Sequence, residues 1–103
     1  MRKSPQMITV NWEKSALDRH EAWALQIAIE FSMTHAQTYL AEIHAAEQKI
    51  SNYPNIGTDF ESPRKNLKRF VTPSGYSMFY ELDDLTTPTN AIIISIVRGQ
   101  RHL

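Results

Sequence analysis

The 103-residue chain has no cysteine, only three glycines and no net charge, with 11 Lys+Arg against 11 Asp+Glu. Without cysteine there is no disulfide framework, no cysteine-held zinc and no thiol nucleophile, so stability must come from packing, as suits a reducing cytosol. Three glycines are too few to build a phosphate-cradling loop. The longest strongly apolar run, 91–97, has seven residues including Ser95, far short of the about 20 that a membrane span needs. At the N-terminus Met1-Arg2-Lys3-Ser4-Pro5-Gln6 is basic, but only 7–10 is apolar before Asn11, too short for an export signal. A cytoplasmic protein without a membrane partner is expected. A chain of this length that is 42% apolar supports one modest core, burying roughly two thirds of its unfolded surface. Residues 1–103 are therefore expected to form a single domain.

The zero net charge argues against a partner bound mainly through phosphates, but it hides an asymmetry. Up to Pro63 there are five basic and eight acidic residues, and after it six basic and three acidic. The late charge falls in two clusters, Arg64, Lys65, Lys68 and Arg69, and then Arg98, Arg101 and His102. They are either two solvated sets of charges or one basic surface.

Residues 7–12 (MITVNW) alternate and are rich in strand formers, predicting a short first strand. Ser15-Ala16-Leu17-Asp18 has capping-box spacing, and Leu17, His20, Trp23 or Ala24, Ile27 and Phe31 then recur at helical steps. Thr34-His35-Ala36-Gln37 repeats the capping pattern before a second stripe of Ala36, Leu40, Ile43, Glu47 and Ile50, broken only by Glu47 and supported by Tyr39 and Ala46. Helices joined so tightly must fold back as a hairpin. Pro54 and Gly57 end the second helix, and a loop to about residue 63 follows. Strands are predicted over 67–72, 76–82 and 91–98, with Pro73-Ser74-Gly75 as a turn. Short connections favour an antiparallel meander. The expected class is α+β, in the order β-α-α-β-β-β, with a helical hairpin packed on a small, mainly antiparallel sheet.

Alternation in the last strand puts Ile92, Ile94 and Ile96 on one side and Ala91, Ile93 and Val97 on the other, so both faces are apolar. Two helices cover one face well. The second is covered either by neighbouring aromatics such as Phe79 or by a partner chain.

Several chemistries fail on spacing. His20-Glu21 opens like a zinc-protease helix, but the second histidine position holds Ala24. His20, His35 and His44 have no ligand-spaced partner, so no metal is expected. No Gly-x-Ser-x-Gly elbow occurs.

A strand ending in Trp12, Ala16-Leu17-Asp18 opening a hairpin, Tyr53-Pro54-Asn55-Ile56-Gly57 after it, then Gly75-Tyr76-Ser77-Met78-Phe79-Tyr80, and finally Ile94-Ser95-Ile96-Val97-Arg98-Gly99-Gln100-Arg101 resembles the RelE/ParE superfamily of bacterial toxins. The resemblance implies the toxin of a type II toxin-antitoxin pair, neutralised by a cognate antitoxin protein, without a cofactor. RelE-like members cut messenger RNA at the ribosome, and ParE-like members poison DNA gyrase by binding it. The cutting chemistry needs cations for the phosphorane and an acid and base for the oxygens. For it the resemblance offers Lys68, Arg101 and, as a substitute proton carrier, His102. The expected arginine after Gly75-Tyr76 is replaced by Ser77, and no tyrosine follows Arg101. These departures favour a ParE-like, non-enzymatic toxin over a ribosome-dependent ribonuclease, with a non-toxic binding partner as a third reading. The target contact is expected at Lys68, Arg69, Arg98 and Arg101. The antitoxin is expected along the helical hairpin and the exposed sheet face, at Phe79, Ile93 and Val97.

Overall fold

The computed structural model describes residues 7–98. Its elements are β1 (Thr9–Trp12), α1 (Lys14–Glu30), α2 (Met33–Asn52), β2 (Thr58–Asp59), β3 (Leu67–Val71), β4 (Ser77–Leu82) and β5 (Asn90–Val97). The strands form one sheet in the order β1-β5-β4-β3-β2, antiparallel except where β1 runs parallel to β5. The helical hairpin carries the chain from β1 at one edge of the sheet to β2 at the other, and the strands then step back until β5 lies parallel beside β1. Ser51 near the end of α2 ties the entry of β1 down, its Oγ donating to the Ile8 carbonyl at 2.7 Å and its own carbonyl accepting from the Ile8 amide at 3.0 Å.

Both expected helix caps are displaced. Ser15 lies inside α1, which begins after Glu13 with no side-chain cap. Ser32, not Thr34, caps α2, accepting from the His35 amide at 3.1 Å. The reason is the tightness of the turn: the Phe31 and Ser32 amides both reach back to the Ile27 carbonyl, leaving two residues between the helices.

The buried stripe of α2 is Ala36, Tyr39, Ile43, Ala46 and Ile50. Tyr39 replaces the expected Leu40, which is 43% exposed. On α1 only Ala16 and Ile27 are buried, with His20, Trp23, Ala24 and Ala28 half-buried. Phe31, expected on the inner face, is exposed. The loop expected up to residue 63 contains β2, a two-residue edge strand that pairs with Arg69 and Lys68.

Strand β5 does not alternate as its sequence implies. Phe79 pairs with Ser95 but Tyr80 pairs with Ile93, so Ile94 has no opposite residue and forms a β-bulge. Beyond the bulge the facing reverses. Ala91, Ile93 and Ile96 all enter the core against Leu82, Tyr80 and Met78, while Val97 is exposed.

Beneath the hairpin, Tyr80 is fully buried and its hydroxyl joins two loop groups, donating to the Pro54 carbonyl at 2.7 Å and accepting from the Gly57 amide at 3.0 Å. Burial pushes the Tyr80 hydroxyl up to about 12, so it stays a donor at any ordinary pH.

Candidate functional site

Two surfaces carry chemistry, the open sheet face and a groove between the hairpin and the end of the sheet. Because side chains alternate along a strand, Lys68 and Arg69 point to opposite sides. Lys68 pairs across to Tyr80 on the helix side, where it is 6% exposed and its ammonium lies 2.7 Å from Asp59. Arg69 is on the open face, its Nε donating to Ser77 Oγ at 3.1 Å. Ser77 therefore has a guanidinium beside it, supplied from β3. Next along the face, Phe60 and Phe79 meet edge to face with centroids 5.0 Å apart. Arg64 forks onto Glu81 at 3.0 and 3.1 Å and reaches Glu13 at 3.2 Å.

The open-face positions of β3, β4 and β5 are Leu67, Arg69, Val71, Ser77, Phe79, Glu81, Ile92, Ser95 and Val97 by pairing. They include no histidine, lysine or tyrosine, and their one carboxylate, Glu81, is held by Arg64.

The groove, about 470 Å³, is walled by Trp23, Ile27, Phe31, Tyr39 and Tyr76 and edged by Arg98. A second recess of about 200 Å³ shares Trp23, Tyr39, Tyr76 and Arg98 and adds Arg19. Tyr39 and Tyr76 stand edge to face at 5.0 Å, and the Arg98 guanidinium stacks 4.8 Å from the centroid of Trp23, a cation-π contact. Glu42, also in the lining, accepts from the Ser74 amide and hydroxyl, both at 2.8 Å. Burial opposes its charge, but these bonds and one from Thr72 outweigh that and hold its carboxyl below the usual range.

Behind the groove, His20 Nδ1 and the Tyr39 hydroxyl share a hydrogen bond of 2.8 Å, and the His20 ring stacks on Trp12 at 4.8 Å. The Trp12 indole N–H in turn donates to Glu47. Burial lowers the His20 pKa from 6.5, against the opposing pull of Glu47 and Glu21, and burial raises that of Tyr39. Folded His20 thus holds a proton less readily than unfolded His20, and the unfolded state takes up more protons as pH falls below about 6.5. Stability is expected to be flat above that pH and to decline below it. Urea midpoints measured between about pH 7.5 and 5 should fall, and His20→Gln should flatten the curve. An unaltered slope in the variant would remove His20 as its source.

The expected site residues do not converge. Lys68 is buried and ion-paired on the helix side, Arg69 is on the open face, and Arg98 lies on Trp23 at the groove. Arg101 and His102 lie outside the described residues. Of the three expected antitoxin contacts, Ile93 is fully buried in the core, Val97 is exposed, and Phe79 is half-buried on the open face against Phe60. Ile93 is corrected from surface to core, because the bulge at Ile94 separates it from Val97. Sequence reasoning missed the Trp23, Tyr39 and Tyr76 wall, since aromatics at helical spacing read as ordinary core. Among the described residues no group of three or more histidines and carboxylates is placed to hold a metal, and no helix is long and apolar enough to cross a membrane.

No protein-family profile and no curated protein sequence matches the chain. Among solved structures, a chain of the chromosomal ParDE toxin-antitoxin system from P. aeruginosa superposes with TM-score 0.70 at 14% identity, covering 91% of this chain and 98% of that one. A chain of the intact E. coli RelBE toxin-antitoxin complex matches with TM-score 0.55 at 14% identity over 91% of this chain and 99% of its own. The isolated E. coli RelE toxin matches with TM-score 0.56 at 14% identity over 92% and 87%. Two helices crossing one face of a five-stranded sheet, with a single parallel pair at β1, give this chain the RelE/ParE toxin fold.

Proposed function

We propose that this protein is the toxin of a toxin-antitoxin pair, neutralised by a cognate antitoxin, and that it acts in the ParE-like manner, by binding DNA gyrase rather than by cutting RNA. The observation that carries the second half is the composition of the open sheet face. Among the described residues its strand positions offer one guanidinium, Arg69, and no histidine, lysine or tyrosine to move a proton. Transesterification at a 2′-hydroxyl needs proton transfer at both the attacking and the leaving oxygen. A face with Arg69, two aromatics and aliphatic neighbours instead has the makings of a protein contact, with an arginine and aromatic anchors.

A partner on the hairpin is supported by exposed apolar side chains. Leu25 and Ile29, one turn apart on α1, are 63% and 74% exposed, and Phe31 and Met33 at the hairpin turn are 61% and 64% exposed. Exposed large apolar side chains gathered on one hairpin favour an interaction site there.

Induced expression without the antitoxin, followed by parallel assays of gyrase-mediated DNA cleavage and of transcript cleavage at ribosomes, tests the reading. Stalled gyrase cleavage with intact transcripts is expected, and Arg69→Ala should weaken it about tenfold while leaving stability within about 1 kcal/mol. Codon-phased transcript cuts with normal supercoiling would replace gyrase by the ribosome as target. Unimpaired growth would support the non-toxic reading.

A further inference from the structure

Strand pairing lays one row of side chains across the open face. Val71 stands opposite Ser77 and Ser77 opposite Val97, so a small, buried serine lies between two exposed valines and forms the floor of a shallow notch. In the next row Arg69 stands opposite Phe79, and its guanidinium reaches diagonally to that floor, where Nε donates to Ser77 Oγ at 3.1 Å. The two terminal nitrogens of Arg69 have no hydrogen-bond partner among the described residues. The one buried side-chain polar atom left without a partner among those residues is Trp23 Nε1, so the terminal nitrogens of half-buried Arg69 reach solvent. A guanidinium held at Nε presents its outer N–H groups as a fixed fork, the shape that matches a carboxylate. We propose that this notch receives one Asp or Glu carboxylate from the surface of the protein target. Arg69 binds it, Ser77 positions the guanidinium, and an apolar neighbour of the acid rests on Phe60 and Phe79.

The rest of the face decides between a protein and a polynucleotide. Its strand positions carry no second cation among the described residues, and Arg64 is taken up by Glu81 and Glu13. A nucleic acid is held through several phosphates at once, which one guanidinium does not supply. Val71, Val97, Phe60 and Phe79 instead offer apolar surface around the fork. A single charge pair closed off from water by such a rim gains strength and selects one partner group. The carboxylate of this face does not compete for the fork, since Glu81 is held by Arg64. That the target is gyrase rests on the function proposed above. The requirement for a carboxylate does not.

The full chain, labelled with nitrogen-15 arginine, is titrated with the synthetic peptide acetyl-Gly-Leu-Asp-Phe-Gly-amide and with its Asn counterpart. The Asp peptide is expected to move the Arg69 Nε–H resonance, which Arg69→Gln removes and so assigns. It should bind about tenfold more tightly than the Asn peptide, the increment of a hydrogen bond to a charged group. The Arg64 Nε–H resonance should stay in place, because that group is already bonded to Glu81, and its unchanged position in each variant shows the sheet intact. The preference for Asp should vanish in Arg69→Gln and shrink about threefold in Ser77→Ala, which releases the guanidinium without removing it. Equal binding of the two peptides, binding of neither, or a preference that both variants retain in full would each overturn the proposal. So would a uridine hexanucleotide that moved the Arg69 signal at lower concentration than the Asp peptide, since the notch would then be a phosphate site. None of these readouts uses gyrase or toxicity. A chain that prefers the Asp peptide but leaves gyrase untouched would sink the gyrase reading alone, and a gyrase poison indifferent to the Asp peptide would sink this one alone.

Discussion

Gly57→Ala is expected to lower the melting temperature by about 10–20 °C, the shift that about 2–3 kcal/mol gives in a domain of this size. A Cβ built at Gly57 falls 2.8 Å from the Tyr80 hydroxyl oxygen and 2.9 Å from the Arg69 carbonyl oxygen. The second atom is backbone inside the sheet and cannot swing aside. The first belongs to a fully buried ring whose hydroxyl also holds Gly57 and Pro54, so relieving the clash breaks those bonds. Overpacking costs about 1–3 kcal/mol and a lost buried bond about 1 more. Gly75 is the control. Its φ is +95° with nothing within 4 Å of an added Cβ, so Gly75→Ala should cost only backbone strain, about 1 kcal/mol. Thermal melts of the two variants check the order. Equal losses would mean that Gly57 has more room than its neighbours indicate.

The second large effect is expected at Ile93→Ala. Ile93 is fully buried against Tyr80 under the helices, and truncating such a side chain costs about 2–5 kcal/mol. Val97→Ala, at a side chain 44% exposed, should stay within about 0.5 kcal/mol. Urea unfolding of both variants reads the difference directly. Comparable stability of the two variants would mean that the bulge at Ile94 is absent and that the strand alternates as its sequence implies.

Much of the fold was legible because it rests on local signals. The helical stripes along residues 17–31 and 36–50, the Pro54 and Gly57 stop and the apolar last strand each follow from neighbours within a few residues, and the α+β class follows from their order. The displaced caps, the strand at Thr58–Asp59 and the bulge were not legible. The strand and the bulge each depend on pairing between separate strands, the β3 edge that recruits β2 and the offset of β5 against β4, while the cap of α2 is set by the tight turn that the Ile27 carbonyl closes. The site was less legible still. Lys68, Arg69, Arg98 and Arg101 read as one basic edge because charge was counted along the chain, and counting cannot see strand parity or ion pairing.

The sequence by itself determined the absence of cysteine chemistry and phosphate loops and the succession of elements, because those are matters of composition and short spacing. Only the tertiary structure decided which charges are available. Pleating sends Lys68 to Asp59 and Arg69 to Ser77 on opposite sides of one strand, and the crossover of the hairpin brings Trp23 of α1 under Arg98 at the end of β5. The neutral balance of 11 against 11 thus conceals a solvated fork at Arg64, a buried lysine held by an exposed carboxylate at Lys68 and Asp59, and one aromatic-seated guanidinium at Arg98, distinctions set by burial and geometry rather than by number.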